Sequence, residues 1–428
     1  MRALLITVSS PEMLRIRRTR YIRFQQCTMP YLAAYFPDDW DVDHVDEECE
    51  VIDYDKRYDL VALTFHTPSA PHAYGVAERF RGRGAFVVMG GPHVTLLPDE
   101  AALHADSVFV GEAEETLPLF LGDFCRGNPQ KRYECGEPPS LAHIPMARKS
   151  LFHRRDHSAG ILCATRGCPN HCEFCALTKM YGHSFRRRPV EEVAAEFASF
   201  PGKVVIFWDD NLSADMAYAK ALLRAIKPAR KWWSSQAAIQ AGLDDEFLAL
   251  ARESGCKHLF FGLESLSQAS LDNAGKGFNR VEEYVRLVRR AHAHGIGVQT
   301  GVVFGFDQDT PAIFDETVDF LNESGVQNAT LNILTPYPGT PLFRRLEGEG
   351  RILTYDWSKY NSRADVVFQP KHMSPEELLE GFWRVNRRFY SIGGIFRRAL
   401  ASPPGLIWEL PLNLLYAVKW ARYAYDKG

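Results

Sequence analysis

No stretch of this 428-residue sequence approaches the ~20 consecutive apolar residues that a membrane-spanning helix needs. The apolar run after Met1 is also shorter than that of a secretory signal, so a cytoplasmic chain is expected. Neither sign of charge is in excess. Fifty Lys and Arg against 53 Asp and Glu leave a net charge of -3, which lacks the basic surplus of a nucleic-acid partner. Low-complexity tracts and internal repeats are missing, and with 46% hydrophobic and 24% charged residues the disordered and fibrous classes are excluded. Nine cysteines in a reducing compartment do not read as a disulfide framework. Their spacing points instead to metal or redox chemistry.

What is present is punctuated α/β patterning. Apolar runs at 3–7, 60–65, 85–89 and 107–110, with a more polar run at 40–45, alternate with helical stretches. Over residues 1–125 this predicts a five-stranded, doubly wound, flavodoxin-like domain whose parallel sheet is buried on both faces. Ligands of such sheets sit at the carboxyl ends of the strands, here the loops 8–12, 65–72, 90–95 and 111–115. Residues 126–158, with RGNPQKRYECGEPPS, predict a linker. The alternation restarts over 159–340, with strands expected at 160–164, 203–208, 232–238, 258–262, 297–303 and 328–334 and helices between them. Six βα units fit a partial (β/α)6 barrel, although periodicity alone does not separate this from a second doubly wound sheet. Residues 341–428 read as irregular and then helical.

Cys168, Cys172 and Cys175 in RGCPNHCEFC form a C-x3-C-x2-C cluster just after a predicted strand, where a barrel builds its active site. Three thiolates at this spacing can ligate three irons of a [4Fe–4S] cluster and leave the fourth open to another ligand. A structural zinc site would want four closed ligands, and His171 alternates with the cysteines too tightly to join them. Cys163, five residues upstream of the motif, reads as a core thiol.

At these residues the sequence resembles the radical S-adenosylmethionine (SAM) superfamily, whose signature places an aromatic residue where Phe174 stands. The resemblance implies a partial TIM barrel, a [4Fe–4S] cluster whose open iron is chelated by SAM, and reductive cleavage to a 5′-deoxyadenosyl radical. It implies SAM contacts at Asp209, Asp210 and Asn211, which replace the Gly-Gly-Glu of many relatives, at Glu264 and Ser265, at Gly301 and Gly305, and at Leu334. Such a radical enzyme needs an electron donor of the flavodoxin or ferredoxin kind. Arg186, Arg187 and Arg188 read either as phosphate binders or as a solvated face.

Over residues 1–390 the sequence is similar to the cobalamin-binding radical SAM proteins. The resemblance implies cobalamin contacts at His66, Thr67, Gly90, Gly91, His93, Gly111 and Glu112. The loop after the first strand reads VSSPEML in place of D-x-H-x-x-G, so no protein histidine is expected below cobalt. The resulting expectation is a radical SAM enzyme, a cobalamin-dependent C-methyltransferase acting on an unactivated carbon of a small apolar or tetrapyrrole-like metabolite. The alternatives are a radical cyclase, ring-rearrangement or oxidative enzyme, and a non-enzymatic iron–sulfur redox or regulatory protein. Residues 403–425 interleave aromatic residues with cations, as a peripheral membrane helix does, or as a helix docked on the barrel does.

Overall fold

In the first domain, the two sides of each apolar strand enter different cores. The computed structural model describes residues 1–16, 26–152, 159–401, 410 and 413–418. Strands β1 (Arg2–Thr7), β2 (Asp41–Asp46), β3 (Leu60–Thr64), β4 (Phe86–Gly90), β5 (Ser107–Val110) and β6 (Arg132–Glu134) form one parallel sheet, in the order β2-β1-β3-β4-β5-β6. Along β1, Leu4 and Ile6 pack with Val61, Leu63 and Phe80, while Ala3 and Leu5 pack with Leu60, Phe109 and Phe120. This alternation explains why the run is apolar throughout: both faces of the sheet are covered. The sheet has six strands where five are predicted, because the expected linker 126–158 contributes β6. There Tyr133 packs 5.4 Å from Phe109 and 5.4 Å from Phe120. A three-residue strand carrying one apolar side chain has no periodicity to read.

The second unit contains β7 (Ala159–Leu162), β8 (Thr165–Gly167), β9 (Phe185–Arg187), β10 (Val204–Phe207), β11 (Trp232–Ala237), β12 (Cys256–Glu264), β13 (Gly297–Phe304) and β14 (Asn328–Ile333). Six of these pair in parallel in the order β14-β13-β12-β11-β10-β7, the partial (β/α)6 barrel. Its crossover helices include Met216–Ile226 and Asp245–Ser254. Their starts are fixed by Asp215 and Asp244, whose carboxylates accept from the Tyr218 and Phe247 amides at 3.0 and 2.8 Å. β8 and β9 are too short to predict and pair as an antiparallel hairpin around the cysteine loop.

Helices Pro341–Gly348, Pro375–Phe389 and Ile392–Ala401 follow the barrel. Leu378, Phe382, Val385 and Phe389 of the middle one join the barrel core. Of the aromatic segment 403–425, only 410 and 413–418 are described. Tyr416 lies 5.7 Å from Tyr390, whereas Trp408, Trp420, Tyr423 and Tyr425 fall outside the described residues. No described helix is long and apolar enough to cross a membrane.

Candidate functional site at the domain joint

The carboxyl ends of the two sheets face each other across a cavity of about 690 Å³. Its N-terminal wall is made by the loops after β1, β3, β4 and β5, and its other wall by Cys163, Thr165, Arg166, Trp208 and Asp210. This is where parallel α/β sheets place their ligands, and the volume is that of a pocket for one sizeable organic molecule. Cys27, Tyr31 and Tyr35 close one side, and residues 176–181, directly after the cysteine motif, flank the other.

Of the residues expected to meet cobalamin, His66, Thr67, Gly90, Gly91, Gly111 and Glu112 line this cavity. His66 is accessible from the cavity, and desolvation by the surrounding protein disfavours its charged form. His93 is a correction. It is fully buried beneath the loops, 3.0 Å from the Tyr74 hydroxyl and 3.3 Å from Thr67 Oγ1, and supports the wall instead of lining it. Glu112 bridges the domains, pairing with Arg166 and with Arg186, while Arg166 reaches Glu114 at 2.6 Å.

The cysteine motif follows β8 directly. Asn211 Nδ2 lies 3.9 Å from Cys168 Sγ, and the Gly167 amide donates to Asp210 at 2.9 Å. Burial pushes the Cys172 thiol up to about 11 and the Cys175 thiol up to about 12. Buried thiols of this kind become thiolates when they bind metal. A structural zinc would need four ligands closed around one ion. A four-iron cluster asks for something else, one thiolate per iron, and three cysteines on one loop fit it.

The SAM candidates divide. Glu264 ends β12 in a left-handed conformation, φ 66°, uncommon for a residue with a side chain and typical of functional positions. Its carboxylate meets Lys276 at 2.5 Å. Burial opposes the charge of Lys276, yet Glu264 and Cys172 keep its pKa above the ordinary ammonium value. Gly301 lets the Phe260 ring pack closely against the strand, since a Cβ there would lie 2.8 Å from Phe260 and 3.8 Å from Glu264. Ser265 is buried and accepts from the Ser267 amide at 3.1 Å, and Leu334 is buried, its amide donating to Phe304 at 2.8 Å. Phe174 meets Phe306 edge-on at 5.8 Å.

Two of the expected SAM contacts also make internal contacts. Asp209 is buried and accepts from the Ala164 amide at 3.0 Å and the Thr165 hydroxyl at 2.6 Å, which anchors β8. Gly305 packs against Leu378 and Phe368, whose atoms would stand 2.9 and 3.2 Å from an added Cβ.

Other expectations also change. Cys163 faces the cavity, not the core, with its sulfur 4.0 Å from that of Cys27. Arg186 and Arg188 are ion-paired with Glu112 and Glu196 and turned inward, whereas Arg187 pairs with Asp215 on an exposed face. Cys27, Arg166 and Lys276 were not singled out by sequence. Each acts through partners distant in the chain, and no local spacing marks them.

Comparison with known proteins agrees with this two-part site. Residues 162–321 match the radical SAM superfamily model and residues 21–121 the B12-binding domain model, and residues 340–402 match a domain of unknown function. The bacteriochlorophyllide d C-12(1)-methyltransferase of Chlorobaculum tepidum is 33% identical over 82% of this chain and 79% of its own length. The chain belongs to the cobalamin-binding radical SAM enzymes. The bacteriochlorophyllide d C-8(2)-methyltransferase of the same organism is 31% identical to this radical SAM chain, over 92% of it and 90% of the relative. The fold matches that of the radical SAM methyltransferase TsrM from Kitasatospora setae, with a TM-score of 0.68 at 16% identity, over 90% of this chain and 88% of that one. A [4Fe–4S] cluster, SAM and cobalamin are accordingly the cofactors of this radical SAM enzyme.

Proposed function

We propose that this enzyme transfers a methyl group to an unactivated carbon of an apolar ring substrate of the tetrapyrrole class. The observation that carries the proposal is the single cavity shared by the B12-binding loops and the flank of the cysteine motif. Likeness to two bacteriochlorophyllide methyltransferases along most of the chain supports both the reaction and the substrate class. When bound, the cluster supplies an electron, SAM a carbon radical and cobalamin the methyl group.

The chain's own residues bind, orient and enclose. Cys168, Cys172 and Cys175 would hold three irons, and Asn211 steadies Cys168 through its amide. Asp210 fixes the Gly167 amide at the start of the motif, and Glu264 with Lys276 holds charge beside Cys172. His66, Thr67, Gly90, Gly91 and Gly111 let backbone and small side chains approach a broad planar cofactor. Trp208, directly after β10, lines the cavity that would take an aromatic substrate. The electron comes from a flavodoxin- or ferredoxin-type donor.

The reading is tested by incubating the reconstituted enzyme anaerobically with bacteriochlorophyllide d, reductant and SAM carrying a trideuteromethyl group. A product heavier by one trideuteromethyl group is expected. Substrate altered without any label gained would replace methyl transfer by another radical reaction.

A further inference from the structure

The segment matched only as a domain of unknown function, residues 340–402, reaches back to the cysteine motif. Glu173 lies between Cys172 and Phe174, and its side chain is gripped by the Arg345 guanidinium as a fork, Nη2 to Oε1 at 2.8 Å and Nε to Oε2 at 3.2 Å. The Glu173 backbone is held too: its carbonyl accepts from the Leu342 amide at 3.0 Å, and its amide donates to the Ala274 carbonyl at 3.0 Å. Both Leu342 and Arg345 belong to the helix Pro341–Gly348, whose start is fixed by the Thr340 hydroxyl accepting from the Phe343 amide at 3.1 Å.

Arg345 is itself braced. Its Nη1 donates to Asp307 Oδ2 at 2.7 Å, and Asp307 is further held by Arg351 at 2.9 Å and Lys371 at 3.1 Å. Arg351 and Lys371 come from the same C-terminal segment. Asp307 comes from the loop after β13, which also carries Phe306, the edge-on partner of Phe174. Burial alone would raise the Asp307 carboxyl, but Arg351, Lys371 and Arg345 hold it below its ordinary value. The span between the second and third cysteines is thus clamped by a bidentate ion pair, two backbone bonds and an aromatic contact. A planar fork on a carboxylate fixes direction as well as distance.

We propose that this C-terminal segment braces the cluster loop, with Arg345 as a positioning residue that both holds Glu173 in place and neutralises its charge beside the iron–sulfur cluster. The inference rests on reading the three cysteines as cluster ligands. Charge next to an iron–sulfur cluster sets its potential, since reduction adds an electron to a site of low dielectric. Removing one partner of the pair changes the net charge beside the cluster by one unit, with opposite signs in the two cases.

The test is an anaerobic redox titration of the reconstituted full chain, followed by electron paramagnetic resonance, for the wild type, Arg345→Leu, Glu173→Gln and the double variant. The potential is expected to fall in Arg345→Leu, to rise in Glu173→Gln and to return toward wild type in the double variant. Arg345→Lys keeps the charge and loses the fork, so it should hold the wild-type potential but release iron to a chelator faster. Unmoved potentials, shifts of one sign in both single variants, or wild-type iron release from Arg345→Lys would overturn the brace. A wild-type chain that assembles no four-iron cluster would overturn the cluster reading and the brace together.

Discussion

Each of the three motif cysteines stands in its own surroundings, yet each supplies what no neighbour can replace, a thiolate for one iron. Cys168→Ala, Cys172→Ala and Cys175→Ala should each abolish cluster assembly, while Cys163→Ala leaves iron content near normal, as iron quantification after reconstitution will show. The spacing of the three was legible because they are local in sequence. The contact of Cys163 with Cys27 was not, since it joins residues 136 positions apart across two domains.

A buried carboxyl offers a second test at this scale. Asp309 accepts from the Gly305 and Phe306 amides at 2.9 and 3.1 Å, yet burial pushes it up to about 6. The folded chain therefore keeps a proton that the unfolded chain has already released between about pH 4 and about pH 6. Stability from this group is present at the acid end and lost as pH rises through that window. Denaturant midpoints of the wild type measured across it should decline relative to those of Asp309→Asn.

The hairpin of β8 and β9 is the element that presents the motif. Gly167 ends β8 with φ 86°, and a Cβ there would lie 2.2 Å from the Ser184 carbonyl oxygen on the opposing side. Gly167→Ala must displace backbone, at a cost of roughly 1–3 kcal/mol for the strained conformation alone. Lower denaturant resistance and reduced iron uptake are expected together; unchanged iron uptake would separate the hairpin from cluster assembly.

Legibility among the elements followed length and burial. The longer strands were readable: β1, β3, β4 and β5 as the apolar runs of parallel strands covered on both faces, and the more polar β2 and β11 from their place in the alternation. β6, β8 and β9, three residues each, lie below the length at which a pattern exists. Glu264 and Lys276 show the same limit for the site, since Glu264 could be placed at a strand end but its partner twelve residues on could not be foreseen.

At the scale of the whole molecule, the joint between the two sheets makes the site. Glu112, with its side chain 5% exposed, carries two arginines from the barrel. Removing one member of a buried ion pair costs roughly 3–5 kcal/mol because the remaining charge is left unpaired. Glu112→Ala should lower the unfolding free energy on this scale in urea melts and weaken hydroxocobalamin binding in an absorbance titration. The sequence pattern revealed two α/β units in the right order, but not the long-range contacts that join them, among them the Glu112 ion pairs and the Tyr31–Glu196 hydrogen bond.

The most direct test of that joint is anaerobic reconstitution of the full chain with iron, sulfide and hydroxocobalamin, followed by iron and cobalt quantification and an absorbance spectrum. About four irons and about one cobalt per chain are predicted, with the cobalt lost in variants that disturb the N-terminal wall and the iron lost in the cysteine variants. A chain that takes up its irons but no cobalt would contradict a cavity shared by the two cofactors.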